Sequence, residues 1–174
     1  NIPTKDNPLA MQTMGSEVDG GFAQYCVAKA KESFPINCDW SDIELASIPI
    51  SYSTAEGMLC RGDIQKETIL ITGASGGVGS AAIQLAKVHG AKIIAQCASD
   101  KASTLKELGA DQTVNRNDDL VSVLGENSVD AVVDLVGGSS WPQLLDILRP
   151  GGKYVTSGAI AGPIVDLDLR SLYL

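Results

Sequence analysis

Basic residues are in short supply here: 13 Lys and Arg stand against 21 Asp and Glu in 174 residues, a formal net charge of −8. An acidic surface repels phosphate polymers and anionic headgroups, and no Lys/Arg cluster interrupts it. Neither a nucleic acid nor a membrane is therefore expected as a partner. Histidine occurs once, at His89. One histidine is too few for a multi-histidine metal site, and its place near a helix end marks it as a surface or capping residue. The four cysteines, Cys26, Cys38, Cys60 and Cys97, are scattered with no C-x-x-C pair. That excludes zinc-finger and dithiol readings and leaves reduced thiols of a cytoplasmic protein. No apolar run approaches the ~20 residues that span a bilayer, and no signal-peptide pattern opens the chain. Asn1 is not an initiator methionine, and the chain ends on the apolar Leu172-Tyr173-Leu174. Both ends read as those of a fragment of a longer protein.

What is present is an ordinary globular balance, 44% hydrophobic and 20% charged, in a chain long enough for one full domain plus a piece of a neighbour. Residues 1–37 are rich in turn formers, with a β-like stretch at 21–27, and read as the tail of a different, β-rich domain. Ser41-Asp42-Ile43-Glu44 is a capping box. A short helix through Ala46 is predicted to follow it and to stop near Pro49, with a second helix from Thr54 towards Cys60. From residue 68 strands and helices alternate. Strands are predicted over 68–72, 92–97, 112–115, 129–136 and 153–157. Val78, Ala81, Ala82, Leu85 and Ala86 form one apolar helix face that Gly90 ends. Further helices are predicted over 101–108, 118–124 and 141–148. This alternation implies an α/β fold, a doubly wound parallel sheet covered on both faces, over residues 38–174.

The most informative stretch is Thr72-Gly73-Ala74-Ser75-Gly76-Gly77-Val78-Gly79, between the first strand and its helix. Glycines there let the backbone turn tightly and approach a pyrophosphate, which then faces free amides at a helix N-terminus. With a strand before it, an amphipathic helix after it and a second strand at the right distance, the pattern reads as a Rossmann-type dinucleotide site. Ser75, Gly76, Gly77 and Val78 are its phosphate-binding candidates. An acid ending the second strand would hold the ribose 2′-hydroxyl of NAD, but Ala95-Gln96-Cys97-Ala98-Ser99 stands there. Asp100 comes later, where it would cap or start the next helix. Ser99 and Lys101 are placed to grip a 2′-phosphate, so NADP(H) is favoured over NAD(H); the alternative is that Lys101 is a solvated helix lysine. Open parallel sheets bind ligands beyond their strands' carboxyl ends, which adds Val136 and Gly137 after the fourth strand and Ser157, Gly158 and Ala159 after the fifth.

On these residues the chain resembles the medium-chain dehydrogenase/reductase superfamily, in its quinone-oxidoreductase-like and enoyl-reductase-like branches. The likeness is carried by Gly20-Gly21-Phe22-Ala23-Gln24-Tyr25, Ser53-Thr54-Ala55, the run from Ile69 to Gly79, Gln84-Leu85-Ala86-Lys87, Gly90-Ala91, Leu108-Gly109-Ala110-Asp111 and Arg149-Pro150-Gly151-Gly152. It implies a GroES-like catalytic domain, of which residues 1–37 would be the end, followed by an incomplete Rossmann domain. It also implies Thr54 beside the nicotinamide and a homodimer in the full-length protein. Zinc-dependent members have a metal-binding cysteine four residues before that threonine. Ile50 stands there and cannot ligate zinc, so the resemblance implies a zinc-independent reductase delivering hydride from NADPH to a quinone or an activated alkene or carbonyl compound.

Tyr52 is a weak catalytic candidate, with simple packing as the equal alternative. No general acid is assigned, and the fragment is expected to bind cofactor without turning over a small-molecule substrate. Leu169, Leu172 and Leu174 would belong to an unfinished dimer edge. The competing readings are a noncatalytic NAD(P)-binding sensor or scaffold, a zinc-type alcohol dehydrogenase, a short-chain dehydrogenase and a methyltransferase. The short-chain reading needs a Tyr-x-x-x-Lys downstream of the glycines, and the spacing occurs only upstream, at Tyr25 and Lys29. A methyltransferase wants an acid where Cys97 and Ala98 stand.

Overall fold

The computed structural model describes residues 13–173, with side chains to Ser171. The chain divides into two compact units, Asn1–Asp39 and Trp40–Leu174. In the first, the Gly15 amide closes a turn on the Val18 carbonyl at 2.8 Å, and Ala30–Glu32 makes a single 3-10 turn. The β-like stretch at 21–27 is not a strand, and Phe22, Tyr25 and Val27 are exposed. A strand persists only when a neighbour takes up its amides and carbonyls. Among the described residues of this unit the one ladder contact is an isolated Met14–Val18 bridge.

The second unit opens with helix α1, Asp42–Arg61, started by the expected capping box. The Ser41 amide donates to Glu44 Oε2 at 2.8 Å and the Glu44 amide to Ser41 Oγ at 3.4 Å. Two helices were predicted around Pro49; one runs straight through it. An interior proline lacks the amide that would bond the carbonyl four residues back, a cost of about 3 kcal/mol. Pro49 lies on the exposed side of α1, while the following turns bury Ala55, Met58 and Leu59. That burial, worth roughly 1.5–3 kcal/mol for each large side chain, carries the helix past the proline.

Five parallel strands follow in the order β3-β2-β1-β4-β5: β1 Thr68–Ile71, β2 Lys92–Cys97, β3 Gln112–Asn115, β4 Val129–Asp134 and β5 Leu148–Thr156. Between them lie α2 Gly77–His89, α3 Ala102–Glu107, α4 Leu120–Leu124 and α5 Trp141–Asp146, with a last turn, α6, at Arg170–Tyr173. Period-two alternation sends Ile69, Ile71, Ile93, Ala95, Ala131 and Val133 to one core with α1 and α2. Leu70, Ile94, Val114 and Val132 go to the other, with Leu120, Leu144 and Ile147. Burial on both faces is why these strands read as continuous apolar runs.

β2 and β3 have the predicted bounds. β4 stops at Asp134 rather than Val136, because the following amides turn inward. β5 starts at Leu148 rather than Lys153, through Pro150, which an edge strand tolerates. The helix predicted over 141–148 therefore ends at Asp146. That predicted over 118–124 begins at Leu120, because Asp119 is its cap, accepting the Ser122 amide at 2.8 Å. A 3-10 turn, Ser99–Lys101, precedes α3, and Asp100 lies in it without capping. His89 ends α2 but caps nothing. It is largely buried, with Nε2 3.8 Å from Glu56 Oε1 on α1. Leu169 is exposed; the Leu172 side chain and Leu174 lie outside the described residues.

Candidate cofactor site

The glycine loop leaves β1 at the centre of the sheet, where strand order reverses between β2 and β4. Such a switch point opens a crevice beyond the strand ends. The Ala74 amide crosses to the Gln96 carbonyl of β2 at 3.2 Å, and the Gly76 amide returns to the Gly73 carbonyl at 3.0 Å. Ser75, Gly76 and Gly77 are exposed. Helix α2 starts at Gly77 with Gly76 as a cap that offers no side-chain bond, and its first turn holds no acid. Its leading amides and positive dipole end are thus left for an anion. Gly79 lets the helix sit on the loop: a Cβ there would meet the Gly73 oxygen at 2.5 Å and Ala74 Cα at 2.6 Å. These features fit a pyrophosphate.

Helix α1 reaches the same place. Ser51 Oγ lies 2.7 Å from where a Cβ of Gly77 would be, and Thr54, three residues on, shares that face. Tyr52 is half-buried and packs against the α1–α2 core. Among the described residues no group of three or more His, Cys, Asp or Glu side chains is placed to share a metal ion.

The loop after β4 closes on the glycine loop, and the loop after β5 closes on the loop after β4. Val136 Cγ2 lies 3.0 Å from where a Gly73 Cβ would be. The Ala161 amide bonds the Val136 carbonyl at 3.0 Å, and the Ser157 amide bonds the Asp134 carbonyl at 3.2 Å. Gly158 backs directly onto β4's exit, since a Cβ on it would fall 2.1 Å from the Leu135 oxygen. Ser157 Oγ donates to Met58 Sδ at 3.1 Å, so its hydroxyl is turned towards α1. Val136, Gly137, Ser157, Gly158 and Ala159 therefore gather at one edge with the glycine loop.

Ser99 and Lys101 stand at the end of β2. Ser99 Oγ accepts from Asn115 Nδ2 at 2.6 Å, and Lys101 Nζ is exposed, 3.7 Å from Asp100 Oδ2. A small open cavity of about 180 Å³, large enough for a phosphate but not a dinucleotide, is lined by Cys97, Ser99, Ala102, Thr113, Val114 and Asn115. Burial and the nearby Asp100 push the Cys97 thiol up, so it stays a neutral wall. The Arg116 amide bonds the Cys97 carbonyl at 2.9 Å, which places Arg116 just past the end of β3, beside the end of β2.

Sequence reasoning missed Asn115 and Arg116, which come into play only when β3 is laid beside β2. It also missed Asp134, completely buried and bonded to Thr72 and Tyr154. The available signal was an acid closing an otherwise apolar strand.

The profile of the zinc-binding dehydrogenases matches residues 77–174. The chain belongs to this family, and within the medium-chain dehydrogenases/reductases to the quinone-oxidoreductase-like branch. It is 32% identical over 166 residues to prostaglandin reductase-3 of Mus musculus, covering 88% of this chain and 43% of that protein. Among solved structures it is similar to a provisional alcohol dehydrogenase from Sinorhizobium meliloti 1021. That match has TM-score 0.91 and 42% identity over 99% of this chain and 50% of the other. It is also similar to Escherichia coli quinone oxidoreductase complexed with NADPH, with TM-score 0.70 and 33% identity over 76% of this chain and 43% of the other. The chain thus spans half or less of the length of these relatives.

Proposed function

We propose that this chain is the cofactor-binding part of an oxidoreductase that transfers hydride from NADPH to a quinone or an activated alkene or carbonyl compound. The observation that carries the reading is the uncapped, acid-free N-terminus of α2 lying over a glycine loop at the switch point of a parallel sheet. The NADPH complex of the similar Escherichia coli enzyme supports the choice of cofactor, and prostaglandin reductase-3 supports a reductase. Bound there, the reduced nicotinamide supplies the hydride. The chain's own residues bind and orient it: the α2 amides take the pyrophosphate, and Thr54, Val136, Gly137, Ser157, Gly158 and Ala159 line the nicotinamide end. Ser99, Lys101 and Arg116 take the 2′-phosphate.

Ile50 offers no donor at the position where zinc-dependent members place a cysteine, so the proposed reaction is zinc-independent. Residues 1–37 would be the end of a GroES-like domain. The full-length protein would be a homodimer acting on a small molecule in the cytoplasm; among the described residues no helix is long and apolar enough to cross a membrane.

Calorimetric titration of the chain with NADPH and, separately, NADH tests the reading. NADPH is expected to bind at least about tenfold more tightly, roughly 1.4 kcal/mol. Equal affinity would remove the 2′-phosphate assignment and leave the dinucleotide site standing. Binding of neither would overturn the reading.

A further inference from the structure

Asp134 closes β4 with no exposed surface, and its carboxylate collects four donors. The Thr72 hydroxyl donates to Oδ1 at 2.6 Å, the Val136 amide to Oδ1 at 2.9 Å, and the Gly137 amide to both oxygens at 3.1 Å. The Tyr154 phenol of β5 donates to Oδ2. Thr72 Oγ1 in turn accepts the Leu135 amide at 2.9 Å. Three successive amides after β4 are thereby drawn inward to two side chains, one of them on the glycine loop.

Burying a carboxylate is costly, and a well-packed apolar residue would serve a purely structural position as well or better. What an apolar residue cannot do is dictate the direction of three backbone amides. Trp141 holds the Tyr154 ring edge-on, with centroids 4.4 Å apart at 71°. Burial and the neighbouring carboxylate push the tyrosine's pKa up, so it remains a donor at all working pH values.

We propose that Asp134 is a positioning residue for the nicotinamide end of the dinucleotide: with Thr72 and Tyr154 it sets the course of residues 135–138, the wall that faces the glycine loop. This rests on the reading that the chain binds NADPH. The adenosine end, at β2 and β3, has no part in the network. Asp134→Leu would remove both acceptor oxygens at similar size. The Thr72 and Tyr154 hydroxyls can turn to other partners, but the Val136 and Gly137 amides are left without one, so the wall must shift.

The test titrates wild type and Asp134→Leu with NADPH and with adenosine 2′,5′-bisphosphate, which lacks the nicotinamide, and follows nicotinamide fluorescence. Asp134→Leu is expected to weaken NADPH about tenfold and alter its bound emission, while the bisphosphate changes less than about twofold. If Asp134→Leu does not fold, Thr72→Val, which deletes the shared hydroxyl, must show the same split at smaller size, and Thr72→Ser, which keeps the hydroxyl, must bind both ligands as wild type does. Equal losses for both ligands, or no loss for either, would overturn the inference and leave the NADPH reading intact. Wild type binding neither ligand would overturn both.

Discussion

At the carboxyl ends of β1, β4 and β5 the contacts are backbone to backbone or backbone to buried side chain: Gly79 on Gly73, Gly158 on Leu135, and the inward amides on Asp134. At the ends of β2 and β3 exposed side chains do the equivalent job: Lys101 beside Asp100, Asn115 reaching Ser99, and Arg116 one residue on. At Gly79 and Gly158 the first region leaves no room for a side chain without moving the backbone; the exposed second region should be able to change its charge without disturbing the fold. A dinucleotide laid along this edge would have its common parts, pyrophosphate and nicotinamide, held by the rigid region. The group that separates NADP from NAD would be held by the adaptable one. Dinucleotide binding and cofactor preference would thus rest on different physical terms in one site.

The sharpest way to break this comparison is Gly79→Ala. The added methyl would lie 2.5 Å from the Gly73 oxygen and 2.6 Å from Ala74 Cα. Both are backbone, so α2 must lift off the loop. NADPH and NADH should lose affinity together, by roughly thirtyfold or about 2 kcal/mol, with a melting temperature lower by several degrees. Titration of both cofactors and a thermal melt check this. Retained binding would mean that the rigid region has slack the structure does not show.

Next in size is the tie between the sheet's adaptable half and α2. Asp111 accepts the Ile93 amide at 2.8 Å and Lys87 Nζ at 2.9 Å. The Lys87 ammonium and the Ile93 amide hold its carboxyl below the ordinary value of 3.8. Because the folded pKa is depressed, the stability this contributes is complete above the unfolded value and is lost as pH falls below about 4 through the folded one. Asp111→Ala should cost about 1.5 kcal/mol at neutral pH, chiefly from the orphaned Ile93 amide. It should also flatten the acid side of the stability curve and leave the NADPH-to-NADH ratio unchanged. Denaturant melts from pH 3 to pH 7 read the first two effects, and a shifted ratio would show that cofactor preference depends on the scaffold.

Legibility in the sequence followed the same division. The sheet could be read because a strand buried on both faces is an apolar run, and β2 and β3 were placed to the residue. The glycine loop could be read because close backbone approach has only one residue type to use. Helix α1 could not: Pro49 carries a strong local stop signal, and what overrides it is burial of Ala55, Met58 and Leu59, which residues 41–50 do not contain. Residues 21–27 have strand composition, but composition does not supply a pairing partner. Asp134's role was hidden for a related reason, since Thr72 and Tyr154 lie 62 and 20 residues away in sequence.

The smallest effect expected is also the one that isolates the adaptable region. Among the described residues Lys101 pairs with Asp100 alone, at 3.7 Å and exposed, and an exposed pair of that kind contributes between nothing and about 1 kcal/mol. Lys101→Ala should therefore leave the melting temperature in place. If its ammonium and the Arg116 guanidinium share one 2′-phosphate, each alanine variant should weaken NADPH about fivefold, or about 1 kcal/mol, with NADH untouched. The double variant should then lose less than the product of the two, because a phosphate already deprived of one cation is better hydrated and depends less on the other. Independent losses would place the two cations on different groups. A loss from Arg116→Ala alone would make Lys101 a solvated helix lysine, and cofactor preference would then lie with β3 instead of β2.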